Sequence, residues 1–221
     1  YEMLRSLVGS EMCIRDSSNT TEDFFQVPSL YYDDQLKRLW IGTGSAGLFY
    51  YDIIRKSLSD IPIRNFPKQP ILAIRKDAKN TLLIGIDGQG IWNISEKGDT
   101  ILHIYKEDLN NPFSLRGDGV YDILCDGSKN WIATFTGKLS FFENNNSQIT
   151  PVTYQINNPN SLGNNYVNQI IEDHEGHIWF ATNNGVSRWD AASNKWKHYY
   201  QNKSEQAKVC LLYTSPSPRD S

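Results

Sequence analysis

The fold class this 221-residue sequence predicts is all-β: a partial β-propeller of about four four-stranded antiparallel blades, an incomplete ring. Two observations predict it, a packing beat that returns every 43 to 48 residues and a fixed strand-and-turn grammar within each period. The beat is a large residue with a small one two places on: Trp40 with Gly42, Leu83 with Gly85, Trp131 with Ala133 and Trp179 with Ala181. Positions i and i+2 of a strand share a face, so each pair makes a knob beside a recess for the neighbouring blade. Burying one such aromatic contributes on the order of 2–3 kcal/mol.

The blades fall at about 29–63, 71–106, 120–156 and 167–200. Each opens on a short apolar run that ends in an acidic turn at Asp33-Asp34, Asp77, Asp126-Gly127 or Asp173 to Gly176. The beat strand follows, then a turn bearing Gly44 to Gly47, Gly88 to Gly90, Gly137 or Gly185, because hairpin turns need positive φ. An aromatic strand such as Leu48 to Tyr51 or Val186 to Trp189 is third. A closing run, for example Ser57 to Ile63 or Trp196 to Tyr200, is fourth. Blades three and four are introduced by near-copies 47 residues apart, Asn110-Asn111-Pro112-Phe113-Ser114-Leu115 and Asn157-Asn158-Pro159-Asn160-Ser161-Leu162. Their prolines lack an amide to donate and halt strand pairing, as a blade connector should.

Composition sets the class. With 39% hydrophobic and 12% aromatic residues the chain can bury a core. Its net charge of -3 comes from 22 basic and 25 acidic residues mixed along the chain, so no nucleic-acid or membrane-surface footprint is expected. No stretch approaches the ~20 apolar residues of a membrane helix. Residues 1–17 and 209–221 lack the repeat grammar, end on the same Arg-Asp-Ser tripeptide, and are read as non-native, adapter-like segments flanking a propeller region at 18–208. Cys13 and Cys210 fall in those ends, which leaves Cys125, in the apolar run Tyr121 to Cys125, as a small buried hydrophobe with no disulfide partner.

From Ser161 to Asp190 the chain spells S-L-x-x-N-x-V-x-x-I-x-E-D-x-x-G-x-I-W-x-x-T-x-x-G-V-x-x-W-D, a pattern that resembles the two-component regulator propeller repeat. The resemblance extends over about residues 28–200; the second unit departs from it, with Leu83 for Trp and Ile86 for Thr. It implies a seven-bladed periplasmic sensor of a Bacteroidetes-type hybrid two-component system, linked to detection of oligosaccharides. The parent it implies has further blades, a following immunoglobulin-like domain, a membrane helix, a histidine kinase and usually receiver and DNA-binding modules. It admits a homodimer of that parent. Four blades do not close a ring, so association through the open blade faces is expected.

No catalytic residue, metal or cofactor is expected. His174 and His177 bracket a His-x-x-His with carboxylates nearby, but they sit in a blade turn where the repeat demands only the acid and Gly176, not on a helix with a third ligand. The recurring acids Asp34, Asp77, Asp126 and Asp173 read as turn formers, and His103 and His198 as ordinary strand residues. A ligand site is expected on one face around the central channel. From the turns between second and third strands come Asp87, Gln89, Phe135, Asn183 and Asn184; from the blade connectors come Asn110, Phe113, Arg116, Asn158, Asn164 and Tyr166. Amides and Arg suit sugar hydroxyls and aromatic rings suit stacking. Two other functions share the fold: a lyase or glycan-active hydrolase, which would need a converging carboxylate pair or His-Arg set, and a protein-interaction propeller, which would favour a flat apolar face.

Overall fold

A computed structural model describes residues 26–200 apart from Gly137; the terminal segments, Cys13, Cys210 and the turn assigned to Gly137 lie outside the described residues. Sixteen strands and no helix occur among the described residues, in four sheets of four. Blade one holds β1 (Ser29–Asp33), β2 (Arg38–Gly42), β3 (Leu48–Asp52) and β4 (Ser57–Asp60). Blade two holds β5 (Ile71–Lys76), β6 (Leu82–Ile86), β7 (Gly90–Ile94) and β8 (Ile101–Tyr105). Blade three holds β9 (Val120–Cys125), β10 (Lys129–Thr134), β11 (Lys138–Glu143) and β12 (Thr150–Val152); blade four holds β13 (Val167–Glu172), β14 (His177–Thr182), β15 (Gly185–Asp190) and β16 (Lys195–Tyr199). Every sheet is an antiparallel meander in chain order, and the first strands β1, β5, β9 and β13 contact one another in succession, which places them around the common axis.

The beat builds the junctions. Trp40, Leu83 and Trp131 are 0%, 0% and 1% exposed, each in a separate cluster between its own blade and the next. A β-carbon added to Gly42 would lie 2.7 Å from Ile71 Cγ2, and one added to Gly85 would lie 2.8 Å from Val120 Cγ1. Ala133 shares a cluster with Val167. The recess beside each large residue therefore receives the β-branched residue that heads the following blade. Beside Gly42 the Ser29 hydroxyl also donates to the Ile71 carbonyl at 2.6 Å, which ties the two blades by a polar bond in the same gap. Gly42→Ala is expected to cost about 1–3 kcal/mol, read by denaturant unfolding, because Ile71 is held on a strand and cannot step aside; an unchanged midpoint would remove the recess from this account.

The fourth beat differs in its surroundings. Ile178 and Phe180 point back into the junction with blade three, whereas Trp179 and Ala181 on the alternate face are only half-buried and Ile171 beside them is 52% exposed. That forward face is expected to associate in solution at micromolar concentration, which light scattering after size exclusion would register; a sharp peak at the mass of one chain would contradict it.

Glycine is required where the third strand starts. Gly90 and Gly185 have φ of 74° and 86°, and a β-carbon on either would run into the Tyr105 or Tyr199 carbonyl oxygen of the adjacent outer strand.

Candidate ligand-binding face

The acidic residue of each first turn does more than shape the turn. Asp126 accepts the backbone N–H groups of Ser128 and Lys129 and the indole N–H of Trp131 at 2.8 Å. Asp173 accepts those of Glu175 and His177 and the indole N–H of Trp179 at 2.6 Å. Where the beat is Leu83, Asp77 takes the Thr81 hydroxyl instead. In blade one the capping acid is Asp33, bonded to the amides of Gln35 and Leu36, while Asp34 points outward to Lys37. Asp33 is also held by Lys76, which bridges it to Glu96, so Trp40 Nε1 has no partner among the described residues.

These bonds set the acid behaviour. The indole of Trp179 and the turn amides hold Asp173 far below the usual carboxylate range. Burial alone would raise Asp126, but the Lys129 amide, the Trp131 indole and Ser128 outweigh it and lower its pKa. For a depressed carboxyl the stabilisation is complete above its unfolded pKa of about 3.9 and disappears as pH falls through the folded value. Stability is therefore expected to drop below about pH 4, by less in Asp126→Asn than in the parent chain; identical acid titrations of tryptophan fluorescence would contradict this.

His177 Nδ1 lies 3.1 Å from Asp173 Oδ2 and 3.4 Å from Glu175 Oε2, so these three side chains converge, with no fourth group beside them among the described residues. Asp173 already serves the turn and the indole, and the trio is a capped turn. Cys125 packs against the cluster between blades two and three, and burial pushes its thiol up to about 12. The peptide carrying Cys125 is expected to stay unlabelled by iodoacetamide at pH 8 in the native chain and to label on unfolding; native-state labelling would show an open junction.

The expected site residues divide into two groups. At the head of each first strand one backbone bond repeats: the N–H of Gly44, Asp87, Phe135 and Asn183 donates to the carbonyl of Gln26, Pro70, Gly119 and Tyr166. Asp87, Phe135, Asn183, Asn184 and Tyr166 thus gather where the first strands begin, around the axis. Phe135 (43% exposed) lies against Tyr121 (37% exposed) with ring centroids 3.7 Å apart. Asn183 accepts from Asn168 Nδ2 at 2.9 Å, and Asn164 Oδ1 caps the Tyr166 amide.

Asn110, Phe113 and Asn158 lie elsewhere. Phe113 lines a cleft of about 250 Å³ with His103 and Tyr105 of β8 and Ser147, and Asn158 lines one of about 280 Å³ with Pro159, His198 and Tyr200. Both clefts run along outermost strands, at the rim. His198 there spans the Ser187 hydroxyl and the Pro159 carbonyl, fixing the connector to blade four. Arg116 is turned back on its connector by a 2.6 Å bond to the Pro112 carbonyl, and Gln89 is held by Lys106.

Asp122 lies outside the expected residues and links three blades. Its carboxylate accepts the Ile170 N–H of blade four at 2.9 Å, the Ile123 N–H of its own strand and the Arg75 guanidinium of blade two at 3.2 Å. Burial pushes its pKa up against the pull of these donors.

Four meandering blades around one axis define a β-propeller, present here as a partial ring. Residues 161–184 match the two component regulator propeller family, and the other three blades share the four-stranded layout of that unit. No curated protein matches the sequence significantly. Among solved structures, an extracellular domain described as belonging to a hybrid two component system of B. thetaiotaomicron superposes with a TM-score of 0.62 at 18% identity, over 82% of this chain and 25% of that one. A second such domain from the same organism gives 0.46 at 19%, over 82% and 30%. A chain of a mitotic checkpoint complex gives 0.54 at 13%, over 80% and 51%. At these identities the likeness is one of fold, and the chain spans about a quarter to a half of the proteins it matches. No helix among the described residues is long and apolar enough to cross a membrane.

Proposed function

We propose that this chain is a ligand-sensing, non-catalytic section of the periplasmic sensor of a hybrid two-component system, and that its ligand is an oligosaccharide. The match of residues 161–184 to the two component regulator propeller family carries the proposal. The first-strand end of the blades supports it, since exposed aromatic and amide side chains gather there. The half-buried thiol of Cys125, its pKa raised by desolvation, and the fully engaged Asp173 speak against nucleophilic or metal-assisted catalysis by these groups. The remaining blades and the downstream signalling domains would come from the parent chain.

Incubating the chain with a panel of oligosaccharides tests this, with calorimetry for binding and chromatography for the fate of the sugar. Saturable binding with the saccharide recovered intact is expected. New sugar products would make it an enzyme, and no binding across the panel would remove the sensing role.

A further inference from the structure

The first strands of blades two, three and four share an irregularity. Register slips by one residue between Ile71 and Ala73, between Val120 and Asp122, and between Val167 and Gln169, so Leu72, Tyr121 and Asn168 are each the extra residue of a β-bulge. Blade one pairs without a slip. A bulge leaves its extra residue out of the ladder and re-aims the side chain, and it persists only where the surrounding structure maintains it. Here it recurs at one position in three blades, each time beside the residue that ends the second strand.

The partners across that gap are observed directly. Tyr121 lies against Phe135 in blade three, and Asn168 bonds to Asn183 in blade four. Leu72 and Asp87 occupy the same two positions in blade two. Backbone geometry is constant at these sites, since the N–H of Asp87, Phe135 and Asn183 makes the same bond in every blade. The side chains are not constant: an acid with an aliphatic, two aromatics, two amides. A packing position repeats its residue type, as the beat does, whereas these six vary on an invariant frame and stay at least partly exposed. Gly119 sits between two of the pairs: a β-carbon there would be 2.5 Å from the Phe135 ring and 3.3 Å from Asp87 Oδ1. Its bareness brings the acid and the aromatic pair side by side.

We infer that Leu72/Asp87, Tyr121/Phe135 and Asn168/Asn183 form a recognition arc at the mouth of the channel that binds an uncharged pyranose unit. The aromatic pair takes the apolar C–H face of the sugar, Asp87 accepts hydroxyls on one side, and the amide pair exchanges hydrogen bonds on the other. Among the six residues there is an acid and no cation, so a uronate or sulfated sugar is disfavoured. Arg116 and Lys106 are engaged elsewhere, at the Pro112 carbonyl and Gln89. This rests on the saccharide reading above and specifies its site and class.

The test is calorimetric titration of the whole chain with neutral xylo-, malto- and manno-oligosaccharides and with oligogalacturonate and chondroitin sulfate fragments, repeated for Phe135→Ala, Asp87→Ala and the rim variant Phe113→Ala. The expected result is a neutral oligosaccharide bound best, weakened roughly tenfold or more by Phe135→Ala, about 1.4 kcal/mol, and by Asp87→Ala, and changed less than about twofold by Phe113→Ala. Circular dichroism melts of the exposed-residue variants separate lost binding from lost folding. Sugar binding that survives both arc substitutions, that falls with Phe113→Ala, or that prefers the anionic fragments overturns the arc and leaves the sensing role standing. Absence of binding to any sugar by the parent chain overturns both.

Discussion

Trp131→Ala is expected to cost about 3–5 kcal/mol of unfolding free energy, measured in urea, whereas Trp179→Ala at the same repeat position is expected to cost about 1–2 kcal/mol. Trp131 is fully buried, with Phe141, Phe180 and Trp189 ring centroids at 5.2, 5.3 and 5.1 Å and its indole N–H on Asp126. Removing it leaves a cavity between two blades and takes one donor from the half-buried Asp126, which keeps the Ser128 and Lys129 amides, and sheets on either side cannot close onto the gap. Trp179 keeps the equivalent bond to Asp173 but is half-buried, with Tyr199 stacked on it at 5.5 Å and the Arg188 guanidinium over its ring at 5.7 Å. Truncation there removes less buried area. Equal losses at the two positions would mean that the beat acts within a blade and not between blades.

Asp122→Ala is the second large effect, expected at about 2–4 kcal/mol. The carboxylate joins three blades, so its loss leaves the Ile170 amide without an acceptor in a buried setting and releases Arg75 from the wall. Asp122→Asn keeps an acceptor oxygen for Ile170 and gives up the ion pair with a guanidinium that is one-third exposed, so less than half of that loss is expected. Because burial raises this pKa, the folded chain holds the Asp122 proton more tightly than the unfolded one. The proton-linked part of its contribution is then largest below the unfolded pKa and fades as pH rises through the folded value, opposite in sign to Asp126 and Asp173, while the bonds from Ile170 and Arg75 persist at pH 7. Unfolding curves of the two variants at pH 7 decide it; equal losses for Ala and Asn would locate the effect in the Arg75 pair alone.

The blades are legible in the sequence because the beat is short-range: a strand, its turn acid and its small residue lie within about ten positions of one another. Features that depend on a partner strand are not. The bulges at Leu72, Tyr121 and Asn168 are one-residue slips in pairing, and nothing within β5, β9 or β13 alone marks them. Asp122 reads as a stray polar residue in an apolar run until blades two and four are set beside it; its signal is a carboxylate amid residues that otherwise pack. The connectors misled in a different way. Each runs from the outermost strand of one blade to the innermost strand of the next, so Phe113 and Asn158 at its start lie on the rim while Tyr166 at its end reaches the channel. Asp33 and Asp34 exchange the expected role because only Asp33 is aimed into the turn.

Amide hydrogen exchange with and without the best-binding neutral oligosaccharide reads the invariant frame beneath the variable side chains. Slowed exchange is expected at the amides of Asp87, Phe135 and Asn183, those bonded to Pro70, Gly119 and Tyr166, and no change along the rim connectors 110–113 and 157–160. Protection confined to the rim, or spread evenly over all four blades, would contradict it.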